Sequence, residues 1–290
     1  MQQVVFIGLV GLLAQFIDGS LGMAYGATTA TLLLAIGLSP ALASMITHLS
    51  EVGTTVVSAA AHQRFGNVEW RVVGWLGVPG AIGAALGAYA LTSLDPALAR
   101  PWMALFLLAM GAYIVVRYAT MRQMQLRLGR RLGGRFLAPL GIVAGFLDAA
   151  GGGGWGPLGT SSLLASRRIE PRKAVGTIDT SEFLVASAAS AGFLIGMADE
   201  PVPWLYVGAL LAGGVIAAPF AAWLVRKLHP RLLGTAAGGV IALTNLHTAL
   251  RALGVGLPVI RTLYVVIGLL WLLLLAWAVL RVRRDRVEAA

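Results

Sequence analysis

Long apolar runs without charge constrain this chain more than any other feature; the stretch from Leu263 to Leu280 contains no Asp, Glu, Lys, Arg or His. A run of that kind approaches the ~20 residues an α-helix needs to cross a bilayer. Further helical apolar runs lie at about 41–61, 70–91, 101–118, 174–196, 203–225, 232–250 and 262–281. Only 12% of the residues are charged, against about 25% in an average soluble domain, too few to clothe a 30 kDa globule. The chain reads as an all-α polytopic membrane protein with no soluble domain of any size. Continuous rather than alternating runs argue against a β-barrel. The absence of cysteine excludes disulfides, thiolate metal sites and cysteine nucleophiles.

Two regions differ from the simple spans. Residues 4–36 and 136–166 are apolar but interrupted, the first at Asp18-Gly19-Ser20-Leu21-Gly22 and the second at Asp148-Ala149-Ala150-Gly151-Gly152-Gly153-Gly154. The pieces on either side run ~12–16 residues, or ~18–24 Å as helix, short of a ~30 Å hydrocarbon core. Both regions are expected to be hairpins of short helices that meet inside the membrane.

A net charge of +10 would suggest nucleic acid as partner of a soluble protein. Here the bases sit in short loops and orient the chain instead. With the loop at 117–135 (Arg117, Arg122, Arg127, Arg130, Arg131, Arg135) placed in the cytoplasm, alternation of the spans puts all but Arg100, Arg251 and Arg261 of the 22 basic residues on that side. The N-terminus is expected outside and the C-terminus inside.

The two hairpins belong to a longer internal correspondence. Asp18, Gly22 and Tyr25-Gly26 match Asp148, Gly152 and Trp155-Gly156, and Ser50-Glu51 match Ser181-Glu182. His48 falls opposite Asp179, Pro40 opposite Pro171, Trp70 opposite Trp204 and Pro79 opposite Pro219. Each half therefore reads as hairpin plus three helices: a first repeat at 1–118, a basic cytoplasmic linker at 119–135, a second repeat at 136–250, and an extra helix with a basic tail at 251–290. Three crossings after a hairpin that returns to its own side make the second repeat enter inverted. Inverted repeats with short glycine-interrupted segments at matching positions point to a secondary transporter with a midplane site; channels use the same symmetry.

Five acids, Asp18, Glu51, Asp148, Asp179 and Glu182, fall within expected membrane segments. A charge at mid-bilayer costs at least ~2.5–3.5 kcal/mol, so such groups face a cavity or a partner. Asp18 and Asp148 can cap the short helices that follow them. His48 lies one turn before Glu51, and Asp179 one turn before Glu182, on one helix face in each case. A carboxylic acid beside a histidine suits the carriage of a proton with a solute, so these four are the expected proton-coupling residues. Glycine-rich tips at helix N-termini suit an anion; Gly19, Gly22, Gly152, Gly153 and Gly154 are its expected backbone donors, with Asp18 and Asp148 organising the tips. Thr47, Ser50, Thr177, Thr180 and Ser181 add hydroxyls. Four consecutive glycines exceed what helix packing needs, which favours a ligand at the second tip. No Lys or Arg lies deep in the membrane. Asn245 and His247 fit a satisfied core role better than a ligand role. Motifs for P-loop, His-Glu-x-x-His and Gly-x-Ser-x-Gly chemistry are absent, so neither an enzyme nor a cofactor is expected.

Gly11-Leu12-Leu13-Ala14-Gln15-Phe16-Ile17-Asp18-Gly19-Ser20-Leu21-Gly22 resembles the first signature of the TauE/SafE-like sulfite exporter family (TSUP transporters). Gly141 to Gly156 resembles its second-half counterpart, and His62-Gln63-Arg64-Phe65-Gly66-Asn67-Val68-Glu69-Trp70 is similar to its H-x-R-x-G-x-V-x-W stretch. The resemblance implies a secondary carrier of sulfite, thiosulfate or organosulfonates such as sulfoacetate in the bacterial inner membrane. The combined expectation is alternating access around a site between the tips, with protons and the lipid bilayer as further partners, no metal, and a homodimer compatible with the whole. The rival readings are a passive anion channel and a membrane scaffold.

Overall fold

Prolines open the long helices at Pro40, Pro96, Pro171 and Pro230, where the missing N–H is one that no intrahelical carbonyl would use. Pro40 follows Ser39, whose hydroxyl accepts from the Leu42 N–H at 3.3 Å, and Pro96 follows Asp95, whose carboxylate accepts from the Ala97 N–H at 2.7 Å. The computed structural model describes residues 2–21, 23–120, 132–224 and 230–288, and these are helical with no strand among them. The order is α1 (Gln2–Leu21), α2 (Tyr25–Ala35), α3 (Pro40–Arg64), α4 (Trp70–Ser93), α5 (Pro96–Ala119), α6 (Gly134–Gly151), α7 (Trp155–Ser166), α8 (Pro171–Gly196), α9 (Trp204–Leu224), α10 (Pro230–Ala252) and α11 (Leu257–Glu288). Gly22, most of the basic loop (Arg122, Arg127, Arg130, Arg131) and the pair Arg226-Lys227 lie outside the described residues.

Among the described residues α4, α5, α6, α8 and α11 are long and apolar enough to cross a membrane. The helix α3 carries too many polar groups to qualify by composition, because it runs through the interior and buries His48, Ser50, Glu51, Thr54 and Thr55. By contrast α11 turns Leu269, Leu270, Leu272 and Leu273 outward, each more than half exposed, as a lipid-facing helix does.

The interrupted regions break later than the sequence suggests. Asp18 to Leu21 still belong to α1, and Asp148 to Gly151 to α6; the described turn residues are 23–24 and 152–154. The first arms are accordingly longer than expected, 20 residues for α1 and 18 for α6, whereas α2 has 11 and α7 has 12. The short arms span ~16–18 Å, about half the thickness of a hydrocarbon core. The delay has a cause: each aspartate stays in the last turn of the long arm and reaches over to the start of the short one.

Small residues let the main helices touch backbone to backbone, as in membrane bundles generally. A Cβ on Gly83 or Gly87 of α4 would overlap the carbonyls of Ile142 or Phe146 on α6; one on Gly141 or Gly145 of α6 would overlap those of Leu76 or Gly80 on α4. The pair α1 and α9 repeats this arrangement, with Gly11 on the Leu210 carbonyl and Gly213 on the Gly8 carbonyl. Gly83→Ala should therefore lower stability by about 1–3 kcal/mol, the usual range for overpacking, seen as a lower unfolding midpoint in detergent. Gly74→Ala, which faces open space, should leave the midpoint unchanged.

The bundle has two distinct ends. At one, Lys173 Nζ lies 2.6 Å from Glu69 Oε1, and the Glu69 N–H donates to Thr177 Oγ1 at 3.0 Å. At the other, Arg100 Nη2 donates to the Leu38 carbonyl at 3.3 Å, and Ser39, Leu94, Asp199 and Glu200 line one cavity.

Candidate functional site

The two turns meet at the centre. Gly152 and Gly153 take backbone angles of φ +81° and +150°, which favour glycine. A Cβ on Gly153 would overlap the backbone of Gly26 and Ala27, one on Gly152 would overlap Met103 and crowd Ala30, and one on Gly151 would overlap Phe106. Gly154 packs on the backbone of Leu147 and Asp148, and Gly156 on Met23. Close packing and turn geometry thus account for all four consecutive glycines, which removes their number as an argument for a ligand. Gly19 belongs to the last turn of α1.

Asp148 ties the second turn together. Its Oδ1 accepts from the Gly154 and Trp155 N–H groups at 2.7 and 2.9 Å, capping α7. Its Oδ2 lies 3.2 Å from His48 Nε2. The other ring nitrogen, Nδ1, is 2.8 Å from the Ser44 carbonyl, which can only accept, so Nδ1 carries hydrogen. One more proton must then lie between Nε2 and Oδ2. Glu51 Oε2 stands 4.0 Å from the same Nε2 and has no hydrogen-bond partner among the described residues, although it is fully buried. Its other oxygen lies against the first turn of α2 at Gly26.

The first turn is built in a parallel way. Asp18 Oδ1 accepts from the Tyr25 N–H at 3.3 Å and caps α2. Asp179 accepts a hydrogen bond from Ser58, and His62 Nε2 is 3.4 Å from its carboxylate. Two sets result, His48–Glu51–Asp148 and Asp18–Asp179–Glu182, each able to offer one ligand atom per residue within 4.8 Å of one another. Each set joins a pair on one long helix, α3 or α8, to a turn aspartate more than ninety residues away in sequence, Asp148 or Asp18. A cavity of about 10 Å³, room for about one water, lies between them, lined by Gln15, Asp18, Glu51, Ser58, Asp179 and Glu182. Either set has the oxygen-rich donors that suit a proton or a hard cation.

Most of the expected hydroxyls are occupied elsewhere. Thr47 donates to Thr29 at 3.1 Å, Ser50 to the Thr47 carbonyl at 2.7 Å, Thr180 to the Gly176 carbonyl at 2.6 Å and Ser181 to the Ile178 carbonyl at 2.8 Å. Thr177 lies at the Glu69 end, away from the turns. Of the sixteen expected site residues, His48, Glu51, Asp148, Asp18, Asp179 and Glu182 come together. Sequence reasoning missed Gln15, Ser58 and His62. Ser58 lies two turns beyond Glu51 and Gln15 one turn before Asp18, on the same faces, so helical spacing from the acids was the available signal.

Residues 7–248 match the family model described as Sulfite exporter TauE/SafE. The chain is 47% identical over 277 residues to the "Probable membrane transporter protein YtnM" of Bacillus subtilis (strain 168), covering 94% of this chain and 91% of that protein. No solved structure matches it.

Proposed function

This chain belongs to the sulfite exporter TauE/SafE family, and from that premise we propose a proton-coupled secondary carrier of sulfite, thiosulfate or organosulfonates such as sulfoacetate. It is a multi-pass membrane transporter and not an enzyme. The finer reading rests on one observation: five buried carboxyl groups face two histidines across the meeting point of the turns. With every acid ionised the cluster is negative even when both histidines are charged. A small anion approaches such a cluster only after protons have neutralised part of it. Proton binding and anion binding then favour each other, and by linkage the coupling is reciprocal.

In this reading His48 and Asp148 share one proton, Glu51 takes another at its unpartnered oxygen, and Asp179 and Glu182 do the same in the second set. The two repeats rock about the meeting point as an inverted pair, opening it to alternate sides. Lys173, Arg64, Arg167 and Arg168 belong to the cytoplasmic end by the charge rule, which places the N-terminus outside the inner membrane and the C-terminus within.

The test is uptake of sulfite and sulfoacetate into proteoliposomes of purified protein with and without an imposed pH gradient. Accumulation against the anion gradient that follows the pH gradient is the expected result. Downhill flux indifferent to it would overturn the proton coupling and favour a channel, or a carrier coupled to another ion.

A further inference from the structure

A second polar cavity, of about 260 Å³, opens at the end of the bundle that holds Arg100. It lies between α2, α5 and α10, and its polar lining comes from Thr31, Arg100, Thr244, Asn245 and Thr248. That volume is at the small end of ligand pockets, suited to a compact solute. We propose that this cavity is the entry site for the anion, recognised through Arg100 and Thr31. The proposal rests on the transport reading above and relocates first capture of the anion away from the acid cluster, whose charge has the wrong sign.

Three features make the cavity an anion receptor. Arg100 makes one hydrogen bond, to the Leu38 carbonyl, and no ion pair among the described residues. A guanidinium has five N–H donors in a planar fork that matches two oxygens of one anion, so most of its donors remain for a solute. Thr31, at the buried floor, accepts from Asn245 Nδ2 at 2.9 Å. Neighbouring buried threonines such as Thr29 and Thr55 give their hydroxyl hydrogen to a helix carbonyl. No such bond is made by Thr31 among the described residues, and with its oxygen held by Asn245 its hydrogen is left to donate. The lining contains no carboxylate, in contrast to the central cavity.

The floor also leads inward. Ala30, beside Thr31, and Met103, beside Ala104 of the lining, are the two side chains that close on Gly152. Met103 thus packs on the second turn and adjoins the lining in sequence, and an anion that displaced this flexible side chain would arrive beside the His48–Asp148 pair. Asn245 is a positioning residue in this scheme, and Arg100 and Thr31 are the contacts.

Binding of sulfite and sulfoacetate to the purified protein in lipid nanodiscs tests the proposal, with proteoliposome flux measured in parallel. Arg100→Gln should raise Kd by at least about tenfold, the effect of losing a hydrogen bond to a charged group, and Thr31→Val should raise it by a smaller factor. Arg251→Gln, at the same end but outside the lining, should leave Kd unchanged. Arg100 is exposed, so its variant keeps the fold, which a monodisperse elution profile checks. Unaltered binding by the Arg100 variant, equal weakening by Arg100→Gln and Arg251→Gln, or no binding by the unmodified protein would each overturn the proposal. Wild-type flux with binding indifferent to Arg100 would remove this site and keep the carrier. Binding that needs Arg100 without any flux would do the reverse.

Discussion

Asp148→Ala is expected to abolish recovery of folded protein, whereas Asp148→Asn should fold. The alanine variant leaves the Gly154 and Trp155 N–H groups without their acceptor and His48 Nε2 without its partner, all within the buried centre. A buried donor left unsatisfied costs about 1–3 kcal/mol, and removal of one member of a buried ion pair about 3–5 kcal/mol. Together these approach the entire ~5–15 kcal/mol margin of a folded domain. Asparagine keeps an oxygen for the two N–H groups and offers an amide N–H to His48 Nε2, so it retains the turn while removing the shared proton. The parallel substitution Asp18→Ala should be milder, because among the described residues Asp18 makes a single longer bond, to the Tyr25 N–H. Yield of monodisperse protein and the unfolding midpoint in detergent check all three. A wild-type midpoint for Asp148→Ala would show that the second turn is held by its glycine packing alone.

Much of this architecture could be read from residue order. Apolar runs, a local signal, place most of the long helices within a few residues, although α5 begins five residues before its expected start, at Pro96, and α11 extends past the expected 262–281 at both ends. The turn positions were misjudged because Asp18 and Asp148 look like helix breakers in sequence, yet each sits inside a helix and bonds forward across the turn. Spacing along α3 brought His48 and Glu51 together, and spacing along α8 did the same for Asp179 and Glu182. Their third partners were illegible: Asp148 reaches His48 from a hundred residues away, and no periodicity encodes which repeat's turn meets which helix. The glycine run misled for a related reason. Its purpose depends on Gly26, Met103 and Phe106, neighbours that only the fold supplies. Arg100 and Asn245 drew little notice for the same cause, each being unremarkable on its own helix and significant only through the cavity they share with Thr31.

Glu51→Gln should retain anion binding and lose uphill transport. The glutamine copies the shape of a protonated glutamic acid and cannot release its proton. Glu51 Oε2 has no hydrogen-bond partner among the described residues, so the amide that replaces it breaks no bond described there and the fold should survive. If anion and proton favour each other through this carboxyl group, fixing it in a neutral form removes their linkage. A coupling of ~1–3 kcal/mol is a factor of ~5–150 in affinity, so the pH dependence of sulfite or sulfoacetate binding should shrink by a factor in that range. Counterflow, which exchanges anion for anion without net proton movement, should persist, while accumulation driven by a pH gradient should disappear. The sign matters: acidification strengthens binding in the unmodified protein by adding protons to the acid cluster, and the variant should bind at neutral pH as the unmodified protein does at low pH. Glu182→Gln, in the second set, should show the same pattern, because Glu182 lines the same small cavity as Glu51. Gradient-driven accumulation at wild-type rates in both variants would exclude these carboxyl groups from coupling and leave the proton shared by His48 and Asp148 as its carrier.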